Sequence, residues 1–157
     1  MSDNQVGILQ QRRIEAGVIK PLVEAFAQEL GPEKTKAIVT EVVTQLAQEK
    51  GEEIRLTVPD DTVDSFASTW EPWFRDDALE IELLALNDEA YHFNVTRCRY
   101  AEMYHDLGLA DLGFTLSCNR DANLIKGFSD KYELERTQTI MEGATHCDFR
   151  YNRKADE

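Results

Sequence analysis

The chain has 157 residues, 42% of them hydrophobic and 30% charged, with a net charge of −13. That length fits one domain with a real core. The acidity argues against nucleic acid and anionic membranes as partners, because both must be met by a Lys/Arg surface, and no apolar run approaches the roughly 20 residues needed to cross a bilayer.

The segment Met1-Ser2-Asp3-Asn4-Gln5 has neither the basic nor the apolar region of a signal peptide, so a cytoplasmic protein is expected. Cys98, Cys118 and Cys147 are odd in number and form no CxxC pair. They read as free thiols, and neither a metal nor a cofactor is expected.

The first half has helical periodicity. Ile14, Val18, Leu22, Phe26 and Leu30 fall four apart, with Ile19 and Val23 widening the stripe. Pro21 is expected to kink or split this helix. Gly31-Pro32 ends it and opens a second, whose face is Ile38, Val42 and Leu46 flanked by Val39 and Val43. Gly51 should close that helix, leaving 52–58 as a short extended piece. Asp60 is the N-cap candidate for a third helix carrying Val63, Phe66, Ala67 and Trp70. Glu71-Pro72 should bend or stop it, and Trp70, Trp73 and Phe74 read as an aromatic knot in the core.

The period then changes to two. Residues 79–86 and 91–98 alternate as strands around an Asn87-Asp88 turn, which predicts a β-hairpin. Short helices are expected over 99–107 and about 109–117. A strand over 132–141 and a last strand from 146 close the chain. In that last strand Cys147, Phe149 and Tyr151 share one face, and His146, Asp148 and Arg150 share the other. The expected architecture is α+β: N-terminal helices packed on an antiparallel sheet of about four strands with short helical inserts, in a single domain over 1–157. The helical front spans about 6–76 and the β-rich, site-bearing part about 79–152. The front helices could pack on their own sheet or on a second subunit, so a homo-oligomer stays open.

The C-terminal third concentrates reactive side chains. Cys118 and Asp121 are three apart, a spacing that puts both on one side of a helix. A carboxylate raises a neighbouring thiol's pKa, so a thiolate there would need a cation close by. Arg120, Arg136, His146 and Arg150 are the candidates. Asp121 could instead act as base for a water, or simply cap a helix. His146 is the imidazole most embedded in the cluster. Arg97, Arg136 and Arg150 lie on or beside strands, where a guanidinium needs either an internal carboxylate or that of a ligand.

Four segments in order carry a family resemblance: Asn94-Val95-Thr96-Arg97-Cys98-Arg99-Tyr100-Ala101-Glu102, Cys118-Asn119-Arg120-Asp121, Arg136-Thr137-Gln138-Thr139, and Glu142-Gly143-Ala144 through Cys147-Asp148-Phe149-Arg150-Tyr151. Together they resemble the L-2-amino-thiazoline-4-carboxylic acid hydrolase family over about residues 80 to 152. The resemblance implies a hydrolase that opens a cyclic isothiourea bearing a carboxylate. Water adds at the amidine carbon and a C–N bond breaks to give a carbamoyl-cysteine. On this reading the partner is a small-molecule substrate. Cys118, Asp121, His146 and Cys147 are the catalytic candidates, and Arg97, Arg136 and Arg150 the substrate-binding ones. The alternative is a domain that binds or senses a carboxylate ligand without turning it over.

Overall fold

The structure, a computed structural model, describes residues 5–156. Helix α1 (Ile8–Leu30) runs unbroken through Pro21, and α2 (Pro32–Arg55) follows after Gly31, whose φ of 84° only glycine adopts readily. Short helices α3 (Val63–Ala67) and α4 (Glu71–Phe74) lead through a 3₁₀ turn to the hairpin of β1 (Leu79–Leu86) and β2 (Ala90–Cys98). Then come α5 (Arg99–Asp106), α6 (Ala110–Gly113), a π turn (Phe114–Cys118), α7 (Asn119–Phe128), β3 (Tyr132–Glu135) and β4 (Cys147–Arg153). The four strands form one antiparallel sheet in the order β1-β2-β4-β3. The α+β expectation holds. Among the described residues, no helix is long and apolar enough to cross a membrane.

Strand alternation sets which face is buried. Tyr91, Phe93 and Val95 of β2 pair with Tyr151, Phe149 and Cys147 of β4, and all six are buried. Phe93 and Phe149 stack with ring centroids 4.7 Å apart. Trp70 sits over this row, with seven aromatic rings 5.6–6.3 Å from its own in edge-on or tilted contact.

Helix α7 wedges between the sheet and α2. The α2–α7 contact is unusually close because glycines meet backbone. A Cβ on Gly51 would lie 2.1 Å from the Leu124 carbonyl oxygen, and one on Gly127 would lie 1.9 Å from that of Gln48. Gly51 therefore permits packing inside α2 and does not end it. The helix continues to Arg55, where an extended piece was expected.

The apolar faces of the two long helices are left uncovered, and three further expectations need correction. The stripe Ile14, Val18, Leu22, Phe26 and Leu30 is exposed, as are Ile38, Val42 and Leu46. α2 turns its other side to α7, and α1 meets the body mainly through Ile8, Leu9, Arg12 and Ala16. Thr62, not Asp60, caps α3: its hydroxyl accepts from the Ser65 N–H, while Asp60 accepts from Thr62 and Ser65. The helical segment expected to stop near Ser117 passes through a π turn and runs on to Phe128. The strand expected over 132–141 stops at Glu135, because the Asp148 carboxylate accepts from the backbone N–H groups of Thr137 and Gln138 and pulls that backbone off the ladder.

Candidate functional site

A small buried chamber lies where the N-terminal end of α7, β2, β4 and the Trp70–Trp73 corner converge. Its volume is about 50 Å³, and all three cysteines line it together with Asp121 and Arg136. Each comes from a local structural cause. Cys98 ends β2 and caps α5, its sulfur accepting from the Ala101 N–H at 3.4 Å. Cys118 closes the π turn and Asp121 lies in the first turn of α7, so the three-residue spacing brings both to one side. Cys147 opens β4 on its inward face and accepts from the Ile140 N–H at 3.2 Å. Arg136 follows the last residue of β3, where the chain leaves the sheet and its side chain turns inward.

The chamber is organised around one ion pair. Arg136 Nη1 donates to Asp121 Oδ2 at 2.7 Å, and Nη2 donates to the Cys118 carbonyl at 3.1 Å. The guanidinium lies over the Phe149 ring, 4.9 Å from its centroid, with Phe114 at 5.7 Å. Burial raises the Asp121 pKa against the opposing pull of Arg136. For Arg136, burial acts to lower the pKa, but the charge and hydrogen bond of Asp121 outweigh it and the pKa rises. A carboxylate with a raised pKa held in a closed site is a proton-transfer candidate.

The thiols behave differently. Burial pushes Cys98 up to about 12 and raises Cys118 and Cys147, with Asp121 adding to the rise at each. Near neutral pH all three remain thiols. Arg136 eases Cys118 and Cys147 downward but does not reverse the effect. The cation that an activated Cys118 would require is present, and it is already committed to Asp121.

The structure therefore brings together Cys118, Asp121, Cys147 and Arg136. It does not bring the remaining three candidates to them. His146 is half-buried outside the chamber, beside Gln138 and Thr145. Arg97 is exposed and pairs with Glu102 and Glu80. Arg150 lies on the opposite face of β4, donating to the Phe93 and Phe149 carbonyls and the Asn94 side chain. Among the described residues, no group of three or more His, Cys, Asp or Glu is placed to hold a metal ion.

Sequence reasoning passed over three other lining groups, Cys98, Arg12 and Trp70, while Arg120, named there as a possible cation beside Cys118, also lines the chamber. The Trp70 indole N–H is fully buried and finds no acceptor among the described residues. Arg12 and Arg120 share Glu15, at 3.1 and 3.8 Å. Burial and the neighbouring Arg12 charge bring Arg120 down to about 10. No local pattern marks Arg12, which lies more than a hundred residues from Asp121 in sequence. Cys98 did carry a signal, since it lies inside the first of the four family-like segments.

Comparison with known proteins adds three findings. No curated protein sequence matches the chain. The fold is similar to the crystal structure of the phenol-responsive sensory domain of the transcription activator PoxR with phenol, with a TM-score of 0.53 over 87% of this chain and 73% of that one. At 10% identity the likeness is one of fold. Residues 11–151, which include every group of the chamber except Ile8, match the model of the L-2-amino-thiazoline-4-carboxylic acid hydrolase family, and the chain belongs to that family.

Proposed function

We propose that the chamber is the catalytic centre of a hydrolase that opens a small cyclic amidine or isothiourea carboxylate, with Asp121 as the group that moves the proton. One observation carries this reading: a buried carboxylate of raised pKa, clamped by Arg136, in a closed chamber of a chain whose family is named for such a hydrolysis. Asp121 takes a proton from water as the oxygen adds to the amidine carbon. It returns that proton to the ring heteroatom as the ring bond to that carbon breaks. Arg136 holds Asp121 in place, and the Nη2 hydrogen not given to the Cys118 carbonyl serves the substrate carboxylate. Cys118 and Cys147, held as neutral thiols, shape the pocket and donate weak hydrogen bonds. At about 50 Å³ the chamber holds a few waters and no ring, so substrate must widen it. The adjacent π turn at 114–118 is the compliant element.

A second reading is favoured by the unpartnered Trp70 N–H and the chamber's aromatic wall: the site binds a small ligand without turning it over. The likeness to a phenol-responsive sensory domain fits that reading.

The test is turnover of L-2-amino-thiazoline-4-carboxylate together with calorimetric binding of the same compound. Turnover that is lost in Asp121→Asn and retained in Cys118→Ser supports the Asp121 mechanism. Turnover lost in Cys118→Ser but retained in Asp121→Asn overturns it in favour of the thiol. Binding without turnover in the parent protein supports the ligand-binding reading.

A further inference from the structure

A second concavity of the molecule is much larger than the chamber. It is an open groove of about 720 Å³ between α1 and α2, walled by Leu22, Phe26 and Leu30 on one side and Ile38, Val42 and Leu46 on the other. These six, with Ile14 and Val18 on the ridge beside them, are 43–61% exposed. At roughly 200 Å² for a fully exposed side chain of this size, the eight leave about 800 Å² of mostly apolar surface in solvent. The largest apolar patch on a typical monomer is about 300–600 Å². About 800 Å² is what each partner contributes to a stable protein–protein interface.

Charge says what covers it. The chain carries −13, yet α1 and α2 together hold seven Lys or Arg and eight Glu, a net of one negative charge. The other twelve lie on the rest of the molecule. Two copies meeting through α1 and α2 bring the nearly neutral helices together and keep the strongly acidic remainder apart, which limits like-charge repulsion. Ile14 and Val18 are exposed on α1 outside the groove lining, so a two-fold contact can set this apolar stretch of one copy against the groove of the other.

We propose that the α1–α2 face is the interface of a homodimer, each copy laying the apolar ridge of α1 into the groove of the other. Ile8, Arg12, Trp73 and Arg120 line both the groove and the chamber, so the second copy covers the approach to the site. The dimer itself does not depend on what the chamber does.

The test is sedimentation equilibrium of the full chain across the micromolar range, with Phe26→Asp, Val42→Asp and a control, Leu84→Asp, on the exposed edge strand β1. All three positions are solvent-exposed in the single chain, so the variants keep its fold, which circular dichroism checks. A dimeric parent, monomeric Phe26→Asp and Val42→Asp, and a dimeric Leu84→Asp support the proposal. A dimer lost only in Leu84→Asp moves the interface to the sheet edge and overturns it. A parent that is monomeric throughout also overturns it, and native mass spectrometry of that monomer then shows whether an apolar small molecule or lipid fills the groove instead.

Discussion

Arg136 and Asp121 meet at 2.7 Å although one follows the end of a strand and the other lies in the first turn of a helix, and their contact fastens the end of β3 to α7 across the chamber. Their side chains are 8% and 20% exposed, so each charge depends on the other for most of its solvation. Removing one leaves the other stranded. Arg136→Met is expected to cost about 3 kcal/mol at neutral pH. Without Arg136 the Asp121 pKa rises further, so acidification protonates Asp121 and relieves the penalty. The loss should therefore shrink as pH falls. Urea unfolding of both proteins at neutral pH and at mildly acidic pH checks this, and a loss independent of pH would mean that the contact is not ionic.

The glycine contacts between α2 and α7 leave no space for a methyl group. Gly51→Ala and Gly127→Ala should each destabilise by about 2 kcal/mol or more, because the nearest atoms are backbone and cannot step aside. The double variant should cost less than the summed singles, since the first separation of the helices makes room for the second. Thermal or chemical unfolding of the three variants measures both effects.

The thiols should be inert in the folded protein. With Cys98 pushed up to about 12 and the other two raised by burial, iodoacetamide near neutral pH should label none of them until the chain unfolds. Mass-spectrometric counting of labelled sites checks this with and without denaturant. Rapid labelling of Cys118 in the native state would revive a thiolate mechanism.

Asp148 holds the backbone that presents Arg136. It accepts from the Thr137 and Gln138 N–H groups at 2.9 and 3.0 Å and from the Thr137 hydroxyl. Burial works to raise its pKa, but these hydrogen bonds outweigh it and hold the pKa below the usual value. For a carboxylate lowered in this way, the stabilisation is present above the unfolded pKa and is lost as pH falls through the folded one. Asp148→Ala should cost about 1–2 kcal/mol near neutral pH and nothing in strong acid. A pH series of melting temperatures for the two proteins checks the sign.

Much of the architecture was legible in the chain. The change of period at residue 79 marks where helices give way to strands, and strand alternation alone separates Cys147, Phe149 and Tyr151 from His146, Asp148 and Arg150. The spacing of Cys118 and Asp121 placed them on one side of a helix, and the structure puts both in the chamber. The apolar stripe of α1 was legible but its cover was not, because a 3.6-residue period reports an apolar face without saying what covers it. Gly51 read as a helix end, and Pro21 as a kink or split, for the same kind of reason. Local propensity cannot foresee that α7 will press against Gly51, and α1 runs through Pro21 as one helix.

The sequence by itself determined the α+β class, the division of the last strand into two faces and family membership, since each rests on residue types and spacings within short segments. Only the tertiary structure decided which reactive groups share a site. Arg136 and Arg150 look alike along the chain, but Asp148 breaks the strand at one and the sheet's pleat turns the other outward. Burial, a property of the whole fold, is what keeps the three cysteines as thiols and raises the Asp121 carboxyl, the group that moves the proton in the proposed mechanism.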